Sequence, residues 1–472
     1  MENLLSSPVV DRANYSLIDS DRAHLIHPVT SFRGHEEHGV RVLTSGKGMW
    51  LTDADGRDVL DGFAGLWCVN AGYGQDSVVE AAAEQMRILP YATGYFHFGS
   101  EPAIRLAEKL TSLAPEGLDH VFFTLGGSDA VDSAIRYITH YYNAIGKPSK
   151  KQFIALEWGY HGSSSTGAGM TALGNFHRGF DLPRSWQHYI PSPYPYRHPQ
   201  GHDDAAVIAS TVAALEAKVA ELGQDNVAAF FCEPIQGSGG VIVPPKGWLK
   251  AIREACDRLD ILLLVDEVIT GFGRTGPMFA CDAEGVSPDF MSLAKGLTSG
   301  YVPMGALLMS DKVYQAIADS APSSLPVGHG FTYSGHPVSA AVALEVLSLY
   351  ENGLLENGIE TGKRFADHME RLKAHPLVGD TRYRGMLGAI ELVSNKETKA
   401  GFDPRLNIGG RLAQLTWDNA VIVRCFPNAV IGFAPALCCS IEEMDLIIER
   451  VEKSLDQLLE MSDVRAAMAR ET

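Results

Sequence analysis

The chain has 472 residues, a length that ordinarily divides into about three domains. Hydrophobic residues make up 46% and charged residues 20%, a globular composition that excludes wholesale disorder. Lys and Arg total 39 against 57 Asp and Glu, a formal charge of −18, which makes a poor surface for nucleic acid or an anionic membrane but leaves room for a local basic pocket.

In chain order, MENLLSSPVVDRANYS lacks a basic start followed by an apolar core, so no signal peptide is expected. Residues 1–30 read as a polar arm with some helix. His35-Glu36-Glu37-His38 resembles a zinc motif, but its histidines are three apart rather than four and no third ligand is apparent. A solvated loop is expected there, and no metal. Residues 39–63 read as short strands joined at the turn dipeptide Asp55-Gly56.

From about 75 to 335, apolar strand-like runs alternate with helical stretches, which predicts a parallel sheet covered by helices. The strand candidates are VFFTL (121–125), FIALE (153–157), AAFFCE (228–233), ILLLVDE (261–267), FMSLA (290–294) and GALLM (305–309). Three are nearly all apolar, as strands buried on both faces should be. Ligands in such sheets sit beyond the carboxyl ends of the strands, which here carry Gly126-Gly127-Ser128, Trp158 to His161, Glu233, Asp266 and Lys295. After 336 a long helical stretch is expected to about 374. RGMLGAIELV, AVIVRC and AVIGFAP then read as strands, and a closing helix opens with the capping-box pair Ser440 and Glu443. The expected division is 1–70, an N-terminal segment of a small domain; 71–335, a large domain; and 336–472, a smaller α+β domain.

Apolar runs such as Ile261–Val265 are far too short to cross a bilayer. Seven cysteines are scattered without C-x-x-C spacing, which fits reduced thiols in a soluble, cytoplasmic protein.

Gly126-Gly127-Ser128 precedes a stretch with apolar residues at 131, 134, 135, 138, 141, 142 and 145, the spacing of a helix. Small residues ahead of free helix N–H groups suit an anion such as phosphate, although an ordinary tight turn reads the same way. Lys295 ends a buried run; a desolvated lysine attacks carbonyls as a free amine, whereas a snorkelling surface lysine does nothing of the kind. Asp266 closes the most apolar strand, where a carboxylate needs a cation or a donor. Gly271 to Gly276 matches G-x-G-x-x-G, but Pro277 follows at once and no helix opens, so a loop is expected. No G-x-S-x-G occurs, which weakens a serine hydrolase reading.

Taken together, GLWCVNAGYG (65–74), YHGSS (160–164), EPIQGSGGVIVPP (233–245), DEVITGFGRTG (266–276), LAKGLTSGYVPMGA (293–306), HGFTYSGHP (329–337) and RGMLGAIEL (384–392) resemble the class III aminotransferases, enzymes of pyridoxal 5'-phosphate (PLP). The resemblance implies an α/β protein of PLP-dependent transferase fold type I, with a mostly parallel seven-stranded sheet sandwiched by helices and a smaller α+β domain. It implies that Lys295 holds PLP as a Schiff base and later moves the proton. Asp266 pairs with the pyridine nitrogen, and Gly127 and Ser128 hold the phosphate, with Thr332 reaching it from a neighbouring subunit. Tyr160 stacks on the ring with His161 beside it, Val268 packs on the opposite face, and Glu233 supports the ring hydroxyl. Because Thr332 acts across an interface, a homodimer, or a dimer of such dimers, is expected. Asp129 stands where the family often has glutamate.

The branch it is most similar to is the amine–pyruvate (ω-amino acid–pyruvate) aminotransferases, which work by ping-pong transamination through pyridoxamine phosphate. Trp67, Tyr95 and Tyr160 are expected to wall the substrate pocket, with Ser238 at its floor. Arg424 matches a mobile arginine that binds a carboxylate, although a surface strand residue reads alike. Donors of the β-alanine, taurine, putrescine or arylalkylamine type are equally compatible. The alternatives are an ornithine- or GABA-type 2-oxoglutarate aminotransferase, an aminomutase, a decarboxylase, or a non-catalytic protein that kept the fold.

Overall fold

The computed structural model describes residues 16–322 and 325–469, so the first half of the amino-terminal arm lies outside the described residues. Three short antiparallel strands follow the arm: β1 (Leu43–Lys47), β2 (Trp50–Asp53) and β3 (Asp58–Asp61), with the expected turn at Gly56 (φ 79°).

The central sheet contains β4 (His120–Thr124), β5 (Gln152–Leu156), β6 (Gln187–Ile190), β7 (Val227–Cys232), β8 (Leu262–Asp266), β9 (Phe290–Leu293) and β10 (Gly305–Met309). Its order is β4-β10-β9-β8-β7-β5-β6, and β10 alone runs antiparallel to its neighbours. Every residue of β7, β8, β9 and β10 is buried, which is why these segments read as continuous apolar runs. The helix Gly127–Ala144 covers one face through Val131, Ala134, Ile135 and Ile138. Helices Asp204–Leu222 and Trp248–Arg258 cover the other through Leu215, Val219, Trp248 and Ile252.

Beyond the sheet, Pro337–Leu349 and Leu355–Leu372 form one bent helical run, broken where Asn352 and Gly353 (φ 121°) leave helical geometry. By length and composition this run could cross a membrane, but Ala340, Val342, Ala343, Val346 and Leu347 all lie in the core. A second antiparallel sheet has the order β11-β12-β15-β14, from β11 (Val378–Arg384), β12 (Leu387–Leu392), β14 (Arg424–Cys425) and β15 (Val430–Phe433). Between them β13 (Val421–Ile422) pairs in parallel with β3, tying the N-terminal strands to the C-terminal region. The last long helix, Ile441–Glu460, opens with the Ser440–Glu443 capping box read from the sequence.

Four local expectations change. The edge strand β6 (QHYI) was not foreseen, because a short polar segment carries no apolar run and is held as a strand by its pairing to β5. β11 was likewise missed. AVIVRC is two two-residue strands in different sheets, with Val423 as the hinge between β13 and β14. The segment around His35 is a helix, Phe32–His38, with His35 buried. The G-x-G-x-x-G segment is a loop, as expected. Its Arg274 is buried and donates to the carbonyls of Ala434 (3.0 Å) and Pro435 (2.5 Å) and to Asn70 Oδ1 (2.5 Å), fastening the C-terminal region to the central one.

Candidate active site

The parallel strands deliver their carboxyl ends to one edge of the sheet, and a cavity of about 340 Å³ opens there. After β4 the chain passes Gly126, with extended backbone, into the helix at Gly127, so the first helical N–H groups have no partner within the helix and face the cavity. A Cβ on Gly127 would lie 2.9 Å from Val268 Cγ2, and one on Gly162 (φ +106°) 2.8 Å from Ser128 Cα. Only glycine lets the three loops converge this closely. Ser163 N–H donates to Ser128 Oγ at 3.2 Å, which holds the hydroxyl at the mouth of the turn.

The loop after β5 supplies Tyr160 and His161. Tyr160 N–H donates to Glu233 Oε1 at 2.9 Å, and Gly237 N–H donates to Glu233 Oε2 at 3.0 Å. Glu233 is therefore a strap between the loops after β5 and β7, with both oxygens engaged by backbone. Burial pushes its carboxyl up to about 7, helped by the neighbouring Asp266 charge and opposed by His161. His161 Nδ1 lies 2.9 Å from Asp266 Oδ2, and Val268 N–H donates to Asp266 Oδ1 at 3.2 Å, so the carboxylate that ends β8 is held from two sides. The adjacent Glu267 turns away from the cavity and accepts from the Thr270 hydroxyl and from Cys281 N–H.

Lys295 follows β9 with φ 44°, in the left-handed region that disfavours a side chain, at a cost of roughly 1–3 kcal/mol that marks functional positions. Burial lowers its proton affinity, against the raising influence of Cys68, Asp266 and Glu233. Its Nζ lies 5.4 Å from the centre of the Trp67 ring. Lys295 and Tyr160 are shared with a second cavity of about 830 Å³, also lined by Trp67, Ser238, Arg424, Trp158, Phe426 and Glu157. Trp67 is almost wholly buried and sits edge-on to Phe63, with ring centres 4.6 Å apart. Arg424 projects from β14 with its guanidinium carbon 5.1 Å above the Phe426 ring, and it makes no ion pair among the described residues. Arg424 is exposed on the cavity wall, and the partial desolvation it meets there lowers its pKa from the ordinary value.

The structure thus brings together Gly127, Ser128, Tyr160, His161, Glu233, Asp266, Val268, Lys295, Trp67, Ser238 and Arg424. It does not bring Tyr95 or Thr332 to either cavity of the same chain. The Tyr95 hydroxyl packs on Gly330, 2.7 Å from where a Cβ there would stand. Thr332 is exposed on the same loop, where its carbonyl accepts from the Tyr91 hydroxyl at 3.0 Å. Sequence reasoning missed Cys68, Glu157 and Phe426, and it placed Trp158 at a strand end without giving it a role. A lone glutamate or cysteine carries no signal of its own.

Residues 32–455 match the family described as aminotransferase class-III. The putrescine–pyruvate aminotransferase of Pseudomonas aeruginosa is 40% identical over 440 residues, 92% of this chain and 95% of that one. The diaminobutyrate–2-oxoglutarate transaminase of Halomonas elongata is 38% identical over 450 residues, 94% of this chain and 96% of that one. Among solved structures, the ω-transaminase of Pseudomonas jessenii in complex with PMP superposes with a TM-score of 0.92 at 37% identity, covering 94% of this chain and 98% of that one. The (S)-enantioselective ω-transaminase of Thermomicrobium roseum gives a TM-score of 0.90 at 39% identity, with coverages of 94% and 98%.

Proposed function

The chain belongs to the class III aminotransferases, and on that premise we propose that it moves an amino group from an amine or ω-amino acid to pyruvate in two alternating half-reactions. PLP is the cofactor of the family, and the residues present fit it. The cavity joins an anion-binding helix start, a carboxylate held by two donors, and a desolvated lysine. Ser128 and the N–H groups from Gly127 onward would hold the phosphate, Asp266 the pyridine nitrogen, Tyr160 and Val268 the ring faces, and Lys295 the aldehyde carbon. When bound, PLP supplies an electrophilic carbon and an electron-accepting ring, which make the hydrogen beside a substrate nitrogen acidic.

The protein's own groups do the rest. Lys295 Nζ, biased by burial toward the free amine, is placed to take that proton and to return it during the second half-reaction. His161 orients the Asp266 carboxylate, and the Glu233 strap fixes Tyr160. Trp67, Trp158 and Phe426 give the larger cavity apolar walls that exclude water around the reacting atoms.

The observation that carries the pyruvate reading is Arg424, an exposed guanidinium free of ion pairs among the described residues, in the wall of a cavity that Lys295 also lines. It matches a keto acid with one carboxylate. On the donor side, Glu157 lines this cavity and its carboxylate has no hydrogen bond or ion pair among the described residues, which suits a donor carrying a second ammonium, such as a diamine. The relative named for putrescine and pyruvate supports this combination, whereas the relative named for 2-oxoglutarate supports the other acceptor.

The experiment is the visible spectrum of the PLP-loaded protein. Bleaching by amines, restoration by pyruvate and one equivalent of alanine per turnover are expected. Restoration by 2-oxoglutarate alone would move the assignment to the other acceptor, and carbon dioxide release would replace it with decarboxylation.

The same reading includes a homodimer with composite sites. Tyr95 and Thr332 belong to segments that pack on each other and leave Phe96, Phe98 and Tyr333 exposed, and apolar surface of this kind marks an interface. Sedimentation of the loaded protein should give twice the chain mass of 51.1 kDa, and a monomer that turns over would exclude composite sites.

A further inference from the structure

The described part of the amino-terminal arm lacks the apolar core that usually holds short helices together. Helix Leu17–His24 buries no residue, while Leu17, Leu25, Ile26 and Phe32 are exposed. In Phe32–His38 only His35 is buried, at 9% exposure. Two helices of eight and seven residues are too short to be stable alone. Within a single chain, something other than apolar burial must fix them.

What they share is a cluster of three side chains. His27 Nε2 lies 2.8 Å from Asp21 Oδ1, and His35 Nε2 lies 3.1 Å from Asp21 Oδ2. The three ligand-type atoms fall within 4.8 Å of one another. His35 Nε2 and Asp21 Oδ2 are buried and face each other, yet neither has a hydrogen-bond partner. A buried histidine nitrogen aimed at a carboxylate oxygen without a hydrogen bond calls for a third party. Arg22 does not compete for the carboxylate, because its guanidinium turns to Asp19 and to the Glu37 carbonyl.

We propose that Asp21, His27 and His35 form a binding site for a divalent transition metal, Zn²⁺ in the first instance, which clasps the two arm helices together. Two imidazole nitrogens and one carboxylate oxygen are a common zinc donor set, with water completing four-coordination. The edges of a tetrahedral site with bonds of about 2.1 Å measure about 3.4 Å, so the atoms need only small movements from their present separations. His38, the other histidine of the H-E-E-H segment, is exposed and outside the cluster. The missing ligands come from upstream, at positions 21 and 27, and no local motif shows them.

The clasp has a consequence for the larger cavity. Pro28, Val29 and Thr30, which lie between His27 and the second arm helix, line its wall. Metal binding would fix that wall while leaving the residues at the sheet edge unchanged.

The site is tested on tag-free, PLP-loaded full-length protein, with metal content as the readout. After equilibration with Zn²⁺ and exhaustive dialysis, one equivalent per chain is expected, reduced to background in His27→Gln and in His35→Gln. Loading with Co²⁺ should give the intense visible bands of a four-coordinate site, absent from both variants. Amide exchange across residues 17–38 should slow at least tenfold when Zn²⁺ is added to the wild type, and should not change in the variants. Unchanged PLP uptake by the variants would show that the body of the protein is intact. Equal zinc content in wild type and variants, or no retained zinc in the wild type, would overturn the proposal. Neither result depends on turnover, so the aminotransferase assignment stands or falls separately.

Discussion

Replacing Arg424 by alanine separates an acceptor-binding arginine from an ordinary strand residue. Its guanidinium makes no ion pair among the described residues and rests over Phe426, so removal strands no buried partner and costs the fold less than about 1 kcal/mol. The loss should therefore appear in function. A hydrogen-bonded pair between a charged donor and a carboxylate contributes about 1.5–3 kcal/mol. At about 1.36 kcal/mol per tenfold, that predicts a fall of roughly 10- to 150-fold in kcat/KM for pyruvate. A neutral monoamine makes no such contact, and its half-reaction should change less than about threefold. Arg424→Lys keeps the charge but loses the fork, so an intermediate loss is expected. The assay follows visible absorbance in single half-reactions, amine mixed with the PLP form and pyruvate with the aminated form. Equal losses in both directions would refute the role, since a damaged pocket or fold affects both substrates alike.

Lys295→Ala should abolish turnover and the visible absorbance of the amine-reactive form; residual turnover above about a thousandth of wild type would remove Lys295 from the proton-transfer role. Glu157→Gln should raise KM for a diamine about two- to fivefold while leaving a monoamine unchanged, because an exposed ion pair contributes only about 0.5–1 kcal/mol; equal KM shifts would count against a donor-binding carboxylate. Gly127→Val places a side chain on Val268, whose Cγ2 would lie 2.9 Å from the new Cβ, and should weaken PLP affinity tenfold or more by equilibrium dialysis. Unaltered affinity would mean that this turn does not hold the phosphate. In the PLP-free protein, burial holds the Glu233 carboxyl at about 7 against an ordinary value of 4.5. The folded chain thus keeps a proton that the unfolded chain releases, so this contribution is full below about pH 4.5 and is lost as pH rises through 7. It amounts to about 3 kcal/mol, and Glu233→Gln should flatten that part of the urea stability profile. A profile unchanged by the substitution would show that Glu233 is not the group responsible.

Most of the central sheet was legible because its strands are buried on both faces. A segment such as Leu262–Asp266 must be apolar throughout and must end abruptly where polar chemistry begins. The same rule made Gly127, Asp266 and Lys295 visible as polar or small residues at the ends of apolar runs, before any resemblance was invoked. The Ser440–Glu443 cap was equally plain, since it depends on a fixed local spacing.

What the sequence left open depended on contacts between distant segments. β6 is a strand because β5 offers it an edge, and Val423 hinges two sheets because β3 and β15 each claim one end of its segment. Arg424 could be read as an ordinary surface residue until the second sheet set it in the wall of a cavity that Lys295 also lines. Tyr95 and Thr332 lie outside both cavities of their own chain because residues 91–98 pack on the 328–336 loop, a contact that no local spacing shows. His35 looked solvated because its neighbours along the chain are polar. Its burial comes from Asp21 and His27, which only the folding back of the arm brings to it. Local spacing and burial are written in the order of the residues, whereas a partner many positions away is chosen by the tertiary structure, because the free energy that selects it comes from surfaces that exist only once the chain has folded.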